Sequence, residues 1–276
     1  MNEIDSPRKG QGGVTTSHAD ALAFYTHIEE TTHYFRENLS ADRDAIGKVL
    51  RNLGKRGTIL EIGSGRGQLQ GLADEYVALD YSLYALSKFI SPKHQRVCAT
   101  AERLPFPDES FAFIYSVAAL EHVPDAAGAF NEIHRVLEPG GMVFLAPAWH
   151  CIQDNCEGIP IRPYGELTLR QKLRKLTLPL RASLPWKAAI TLPRRVLRRV
   201  LWSVKGGGET ALRIGRLRPD YQRFWMSDSD AVSRLDSHEG ALYFHSRGYR
   251  IASPGGATMR QLLASHQALI ARKPDR

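Results

Sequence analysis

A glycine-rich turn is the part of this sequence best suited to chemistry. Gly63, Gly65 and Gly67 follow the short apolar run ILEI, and Asp80 ends a second apolar run 17 residues after Gly63. Residues without a Cβ let the backbone turn sharply and approach a ligand closely, and a helix after the turn would present free N–H groups to an anion. A carboxylate after the second strand can accept both hydroxyls of a ribose. The pattern therefore indicates a nucleotide-binding turn.

The spacing of the glycines separates two classes of nucleotide. The dinucleotide fingerprint is Gly-x-Gly-x-x-Gly, whereas here the third glycine comes one residue early and Gln68 takes the expected position. Glu61 stands two positions before the first glycine. A carboxylate there is unfavourable for a pyrophosphate but suits the ammonium group of a ligand with an amino-acid tail. S-adenosylmethionine (SAM) has such a tail, together with a ribose and an adenine.

Four motifs follow one another in order between residues 58 and 147: LEIGSGRGQL, VALDYS, ATAERLPFPDESFAFIYSVAALEHVPD and EIHRVLEPGG. Together they resemble the class I SAM-dependent methyltransferases, particularly the group similar to quinone and small-molecule methyltransferases. The resemblance implies a Rossmann-like, doubly wound α/β fold with a seven-stranded, mostly parallel sheet and helices on both faces. It also implies SAM as the cofactor.

The resemblance assigns cofactor-binding roles to the positions that match its motifs. The residues from Gly63 to Gly65 would pass under the methionine part, Asp80 would bind the ribose, and Tyr81 would lie against the adenine. The full predicted set is Glu61, Gly63, Ser64, Gly65, Gly67, Asp80, Tyr81, Thr100, Ala101, Glu102, Val117 and Ala118.

The adenine segment carries two departures from the family pattern. The resemblance places Ala101–Glu102 on one edge of the adenine and Val117–Ala118 on the other side. Thr100 stands where the family usually has Asp, and its hydroxyl would accept from the adenine amino group more weakly. Ala112 replaces the usual Asp of the fourth strand.

Two histidines are candidate catalytic residues. A hydroxyl acceptor needs a general base with a pKa near neutrality, which favours histidine. His122 in LEHVPD and His150 in PAWHC follow the fourth and fifth predicted strands, where open α/β sheets bind their ligands. A structural role for His122 stays open. Cys151 and Cys156 near His150 lack the spacing of a zinc knuckle, so no metal is predicted.

The rhythm of the elements predicts how these residues are positioned. Strand candidates alternate with helices from Thr58, as expected for a parallel sheet. The strand candidates are TILEIG, YVALD, RVCA, FAFIYS, MVFLAP, YRIAS and HQALIARK. The helix candidates are GQLQGLADE, LYALSKFI, AAGAFNEIHRVL and DSHEGALYFHSRG. Asp236 is expected to cap the helix in DSHEGALYFHSRG with Glu239 as capping-box partner and Gly248 as its stop. We expect a disordered lead-in at 1–19, an N-terminal helix and SAM-binding core at 20–150, a basic helical insertion at 151–215, and completion of the core at 216–276.

The net charge of +8 resides in one segment. The span from Leu167 to Gly208 holds eleven Lys/Arg and no Asp or Glu, and the rest of the chain has 26 basic against 29 acidic residues. Within it, TLPRRVLRRVLWSVK is amphipathic at helical spacing. The apolar half holds Leu192, Val196, Leu197, Val200, Leu201 and Val204, and the basic half holds Arg194, Arg195, Arg198, Arg199 and Lys205. LTLRQKLRKLTL repeats the pattern more roughly.

Two readings of this insertion stay open. A basic amphipathic helix rich in leucine is typical of a helix attracted to an anionic membrane surface. Alternatively, the apolar face packs on the core as a substrate lid and the arginines face water. Nucleic acid is a weaker hypothesis as the partner of the segment from Leu167 to Gly208. The aromatic residues of this segment are limited to Trp186 and Trp202, and no RNA-binding module accompanies it.

Composition and motifs together predict a cytoplasmic enzyme, and the membrane-surface reading of the insertion would place it peripherally on the inner face of a membrane. Three cysteines argue against a disulfide framework, and no apolar run approaches a membrane span. The stretch from Arg218 onward resembles the C-terminal parts of bacterial methyltransferases linked to surface-polysaccharide assembly. We therefore expect O-methylation of a glycan, lipid-linked or other small-molecule acceptor. The alternatives are a soluble natural-product methyltransferase with a lid and a non-catalytic SAM-binding partner protein.

Overall fold

The computed structural model describes residues 39–53, 57–90, 93–149, 151–219, 229–252 and 268–275. The predicted lead-in at 1–19, the first part of the predicted N-terminal helix and the candidate base His150 lie outside the described residues. Helix α1 begins at Ser40 and runs to Leu53, within the stretch predicted as the N-terminal helix.

A seven-stranded sheet organises the described chain and confirms the predicted Rossmann-like α/β fold. Its strand order is β3-β2-β1-β4-β5-β9-β8. Strands β1 to β5 pair in parallel, and β9 is antiparallel to both of its neighbours. The bounds are β1 Ile59–Ile62, β2 Tyr76–Asp80, β3 Gln95–Cys98, β4 Phe111–Val117, β5 Leu137–Ala146, β8 Arg250–Ile251 and β9 Leu269–Arg272, with β6 Gly215–Arg216 and β7 Ser233–Arg234 forming a separate pair.

Helices cover both faces of the sheet because the central strands are apolar on both sides. One face packs Leu60 and Ile62 against Phe130 and Phe244, and the other packs Ile59 against Ile46. The remaining helices are α2 Leu83–Ser87, α3 Ala126–Val136, α4 Gln153–Cys156, α5 Leu169–Leu176, α6 Leu178–Ala182, α7 Leu184–Val204 and α8 Ser237–His245. This arrangement brings the carboxyl ends of β1 to β5 to one edge of the sheet.

The predicted helix GQLQGLADE is wrong, since this segment forms successive turns. Gly67 and Gly71 take φ angles of +80° and +83°, in the left-handed region that a right-handed helix cannot contain. The Gly67 N–H donates to the Ser64 carbonyl at 2.9 Å and the Gln70 N–H to the Gly67 carbonyl at 3.2 Å. The helix N-terminus expected to face an anion after the glycine turn is therefore absent from this segment.

Helix α8 begins at its predicted cap but without the predicted partner. The Asp236 side chain accepts from the His238 N–H at 2.8 Å, and Gly248 follows the helix with a φ of +81°. The Glu239 carboxylate, predicted to complete a capping box, instead accepts from Arg198 of α7 at 3.0 and 3.2 Å. A charged partner from a distant helix has taken the place of the local backbone contact.

The inserted helices turn several of their arginines toward the core, whereas Arg170 and Arg194 are exposed. Arg195 of α7 is only 7% exposed and makes two hydrogen bonds with Asp236, at 2.8 and 3.2 Å. Arg174 of α5 and Arg181 of α6 both bind the buried Asp154, at 2.8 and 2.7 Å. Acidic side chains from outside the basic segment thus anchor its helices through a seam of ion pairs.

The apolar half of α7 faces outward, contrary to the predicted lid arrangement. Leu197 is 58% and Val204 79% exposed, while Arg195 and Arg198 lie against the core. The expectation that the apolar face packs on the core and the arginines face water is wrong, because the core offers carboxylates where the helix docks. No helix in the described part of the chain is long and apolar enough to cross a membrane.

Candidate functional site

The predicted glycine turn lies in close contact with the end of β4. Gly63 has a φ of +75°, and the N–H groups of Gly63 and Ser64 donate to the Leu79 carbonyl at 2.8 and 3.1 Å. A Cβ built on Gly63 would lie 2.2 Å from the Cβ of Ala119. The turn therefore brings bare backbone across the carboxyl ends of β1, β2 and β4, where a side chain would not fit.

Asp80 joins the glycine turn to the start of α2. One carboxylate oxygen accepts from the Gly65 N–H at 2.7 Å and the other from the Ser82 N–H at 2.8 Å. Burial raises the pKa of Asp80 above its ordinary value, and these two N–H groups oppose that rise. Each oxygen has a second acceptor position beyond its backbone bond. The carboxylate is thus held in place and retains the capacity to accept two hydroxyl groups.

Glu61 lies buried beneath the turn. Its carboxylate accepts hydrogen bonds from the hydroxyls of Tyr76 and, at 3.0 Å, Tyr115. Burial raises the pKa of Glu61 to about 8, although both tyrosine hydrogen bonds act in the opposite direction. Asp80 adds to the rise by charge repulsion. The expected contact between Glu61 and a ligand ammonium stays a prediction, since the described bonds of this carboxylate go to the two tyrosines.

The other predicted cofactor residues surround the same edge of the sheet. Thr100 and Ala101 follow β3, and the Glu102 carboxylate accepts from the Asp125 N–H at 2.6 Å, which ties this segment to the start of α3. Ala118 follows β4, is exposed, and has a φ of +48°, which is unusual for a residue with a side chain. Strained backbone of this kind concentrates at functional sites.

His122 and Glu121 follow β4 along the chain, and the fold brings a second carboxylate, that of Asp230, to the histidine. The Nδ1 atom of His122 lies 3.1 Å from the buried Asp230, and its Nε2 atom lies 3.8 Å from the buried Glu121. Glu121 also accepts from the Ala148 N–H after β5 at 3.1 Å. Sequence reasoning identified His122 but missed Glu121 and Asp230. Asp230 belongs to no motif, and only the fold brings it to His122.

The central part of the chain matches a known family of sequences. Residues 60–145 match the family described as "Methyltransferase domain". Among curated proteins, the chain is 36% identical over 105 residues to a malonyl-acyl-carrier-protein O-methyltransferase of Marinomonas, covering 34% of this chain and 39% of that protein. Residues 60–145 therefore form a domain of the class I SAM-dependent methyltransferase family.

Other relatives of this methyltransferase domain differ in their acceptors. A sterol 24-C-methyltransferase of Gibberella zeae is 38% identical over 69 residues, covering 25% of this chain and 18% of that protein. A solved structure from Methanococcus maripaludis, assigned as a SAM-dependent methyltransferase, aligns over 98% of both chains with 17% identity and a TM-score of 0.42. The chain spans less than half the length of the two curated relatives.

The residues of the methyltransferase site fit SAM. The Asp80 carboxylate retains acceptors for the ribose hydroxyls. The buried Ser64 hydroxyl has no hydrogen-bond partner among the described residues, so a bound ligand can satisfy it. Within the same residues, no group of three or more His, Cys, Asp or Glu could hold a metal ion.

We expect Gly63→Ala to damage the methyltransferase turn much more than Gly71→Ala. Both glycines have positive φ, but a Cβ at Gly71 meets nothing within 4 Å, whereas one at Gly63 strikes Ala119. The shared backbone penalty is about 1 kcal/mol, and overlap at Gly63 adds at least about as much again. Denaturant unfolding and SAM titration of both variants measure the difference. Equal losses in the two variants would contradict the proposed close approach.

Proposed function

We propose that this protein is a SAM-dependent O-methyltransferase acting on a glycan, a lipid-linked intermediate or another small-molecule acceptor. The observation that carries the proposal is that the glycine turn, Asp80 and His122 lie at the carboxyl ends of the adjacent strands β1, β2 and β4, with Asp230 3.1 Å from His122. The Marinomonas relative is named as an O-methyltransferase, and the Gibberella relative methylates a sterol carbon by its name. The choice of oxygen as the methyl acceptor therefore rests on His122 of this chain.

The residues of the turn would hold the cofactor while the acceptor is positioned beside it. SAM supplies an electrophilic methyl group when bound. Asp80 would bind the ribose hydroxyls, and Tyr81, Thr100, Ala101 and Val117 would surround the adenine. Such a site accelerates transfer mainly by orientation and by excluding water. Its remaining chemical task is to remove one proton from the acceptor hydroxyl.

His122 would act as that general base. In this proposal Nε2 accepts the proton, while Nδ1 lies 3.1 Å from the Asp230 carboxylate. The imidazolium that forms would lie between Asp230 and Glu121, and both carboxylates would stabilise its charge. Asp230 is then a positioning residue, since it acts through the histidine. His150, the other candidate base, remains a hypothesis.

We expect His122→Gln to lower the rate of methyl transfer by about 100-fold or more, the usual contribution of a general base. Asp230→Asn should produce a smaller loss of kcat while leaving the affinity for SAM unchanged. A purely structural role for Asp230 would instead lower thermal stability and SAM affinity together. Rates are measured with methyl-labelled SAM and the acceptor-containing fraction of a cell extract.

The exposed His245 at the end of α8 provides a matched control. His245→Gln should transfer methyl groups at the wild-type rate. If His122→Gln also keeps the full rate, the base assignment is wrong. SAM binding by the wild-type protein without labelled product from any extract would favour the non-catalytic alternative.

The partition of the labelled product identifies the class of acceptor. Label that enters an organic phase would support a lipid-linked acceptor and a cytoplasmic protein peripheral to the inner face of a membrane. Label that stays in the aqueous phase would direct the search to soluble sugars and metabolites. The lid alternative stays a hypothesis, but without the apolar packing on the core that it assumed, because the apolar side chains of α7 are exposed.

A further inference from the structure

The outer face of α7 is an apolar surface that the core does not use. We define it by the exposed side chains of Trp186, Ile190, Val196, Leu197, Val200, Leu201 and Val204. Their spacings of three, four and seven residues place them along one side of the helix. Isolated exposed apolar residues are ordinary on protein surfaces, but a continuous apolar stripe marks an interaction site.

The packing of α7 makes this exposure a specific feature of the molecule. Arg195 and Arg198 occupy the inner side, with side chains 7% and 10% exposed, and bind Asp236 and Glu239. Burying charged groups costs free energy that only good ion pairing offsets. Burying the leucines and exposing the arginines would avoid that cost. The helix therefore docks in the orientation that keeps its apolar side available.

Helix α5 shows the same orientation independently. Arg174 on its inner side binds Asp154 and Glu157, and Leu169, Leu173 and Leu176 are exposed. Two helices of the basic segment thus hold arginines inward and leucines outward.

Basic side chains border the outer face of α7. Lys187, Arg194 and Lys205 are all exposed. They are separated by seven and eleven residues, which correspond to about two and three helical turns, so they form a row along one side. The segment from Leu167 to Gly208 has no acidic residue, so α7 itself carries no negative side chain.

We propose that the outer face of α7 docks on an anionic lipid bilayer, lying in the interface with its apolar stripe below the headgroups. The basic row would lie at the level of the lipid phosphates, which is the arrangement of interfacial amphipathic helices. A second copy of the chain fits less well, because a symmetric contact would bring two positive rims together. Nucleic acid fits less well because the centre of the surface is apolar.

The test is flotation of the full-length protein with vesicles in the absence of SAM and acceptor, so its result is independent of the proposed enzymatic function. We expect binding to vesicles of phosphatidylcholine mixed with phosphatidylglycerol, and weaker binding to phosphatidylcholine alone or at high salt. The variant Leu197→Ser/Leu201→Ser should partition at least about tenfold less, since it removes two inserted side chains. Ile90→Ser, which changes an exposed apolar residue outside the inserted helices, should bind like wild type.

Tryptophan fluorescence identifies which surface touches the lipid. Trp186 lies on the outer face and is 41% exposed, so brominated lipids should quench it, and Trp186→Phe should lose that quenching. Absence of vesicle binding overturns the proposal. Vesicle binding that persists in Leu197→Ser/Leu201→Ser, together with unchanged quenching in Trp186→Phe, also overturns the proposal. A wild-type dimer in light scattering that the serine variant dissociates would instead assign this face to a second copy.

Discussion

Replacing Asp80 by Asn should weaken SAM binding by about 100-fold. In the proposed site the exchange removes a negative charge that would accept from the ribose hydroxyls, and hydrogen bonds to a charged group contribute about 1.5–3 kcal/mol each. Isothermal titration with SAM measures the loss directly. Asp74→Asn, at an exposed position before β2, is the matched control and should bind SAM normally.

A thermodynamic cycle separates the ribose contact of Asp80 from its support of the loop. The carboxylate also accepts from the Gly65 and Ser82 N–H groups, so a variant can lose affinity simply because the turn moves. Removing one ribose hydroxyl from the ligand should lower the affinity of the wild-type protein about tenfold. The affinity of Asp80→Asn should fall only slightly further when the same hydroxyl is removed. Equal costs in both proteins would show that Asp80 does not bind the ribose.

Glu61 should make the protein less stable as the pH rises. Burial raises its pKa to about 8 in the folded protein, from 4.5 as the ordinary value. Between these pH values the folded protein keeps a proton that the unfolded chain loses, so unfolding releases a proton and the free energy of unfolding falls with pH. The stability contributed by this group is complete below about pH 4.5 and is lost by about pH 8.

The variant Glu61→Gln isolates this effect because it mimics the protonated carboxyl. We expect the wild-type free energy of unfolding to fall by on the order of 3 kcal/mol across this range, and most of that fall to disappear in the variant. Asp80, whose pKa is also raised, contributes a residual slope of the same sign. Denaturant titrations at several pH values give the curves, with Glu166→Gln at an exposed position as control. Identical slopes in wild type and Glu61→Gln would exclude Glu61 as the source.

Local patterns predicted the elements that carry the cofactor site. The strands from Ile59 to Ala146 lie where short apolar runs indicated them, except that β5 begins at Leu137, inside the predicted helix end and before the predicted run MVFLAP. Gly63 follows the first strand and Asp80 ends the second, as expected. These features depend on neighbouring residues alone. The failure at GQLQGLADE is informative, because its leucine and alanine content favours a helix while Gly67 and Gly71 adopt left-handed conformations. A Cβ at Gly67 would strike the ring of Phe89, a contact that exists only in the folded chain.

The order of residues determined the fold class, the glycine turn and the amphipathic character of the basic segment, because hydrophobic periodicity and glycine placement act over a few residues. Only the tertiary structure decided which side of α7 faces the core, since Asp236 and Glu239 come from another part of the chain. It likewise decided that Asp230 meets His122. An amphipathic pattern predicts that a helix has an apolar and a polar side. The carboxylates on the surface where the helix docks determine which side is buried.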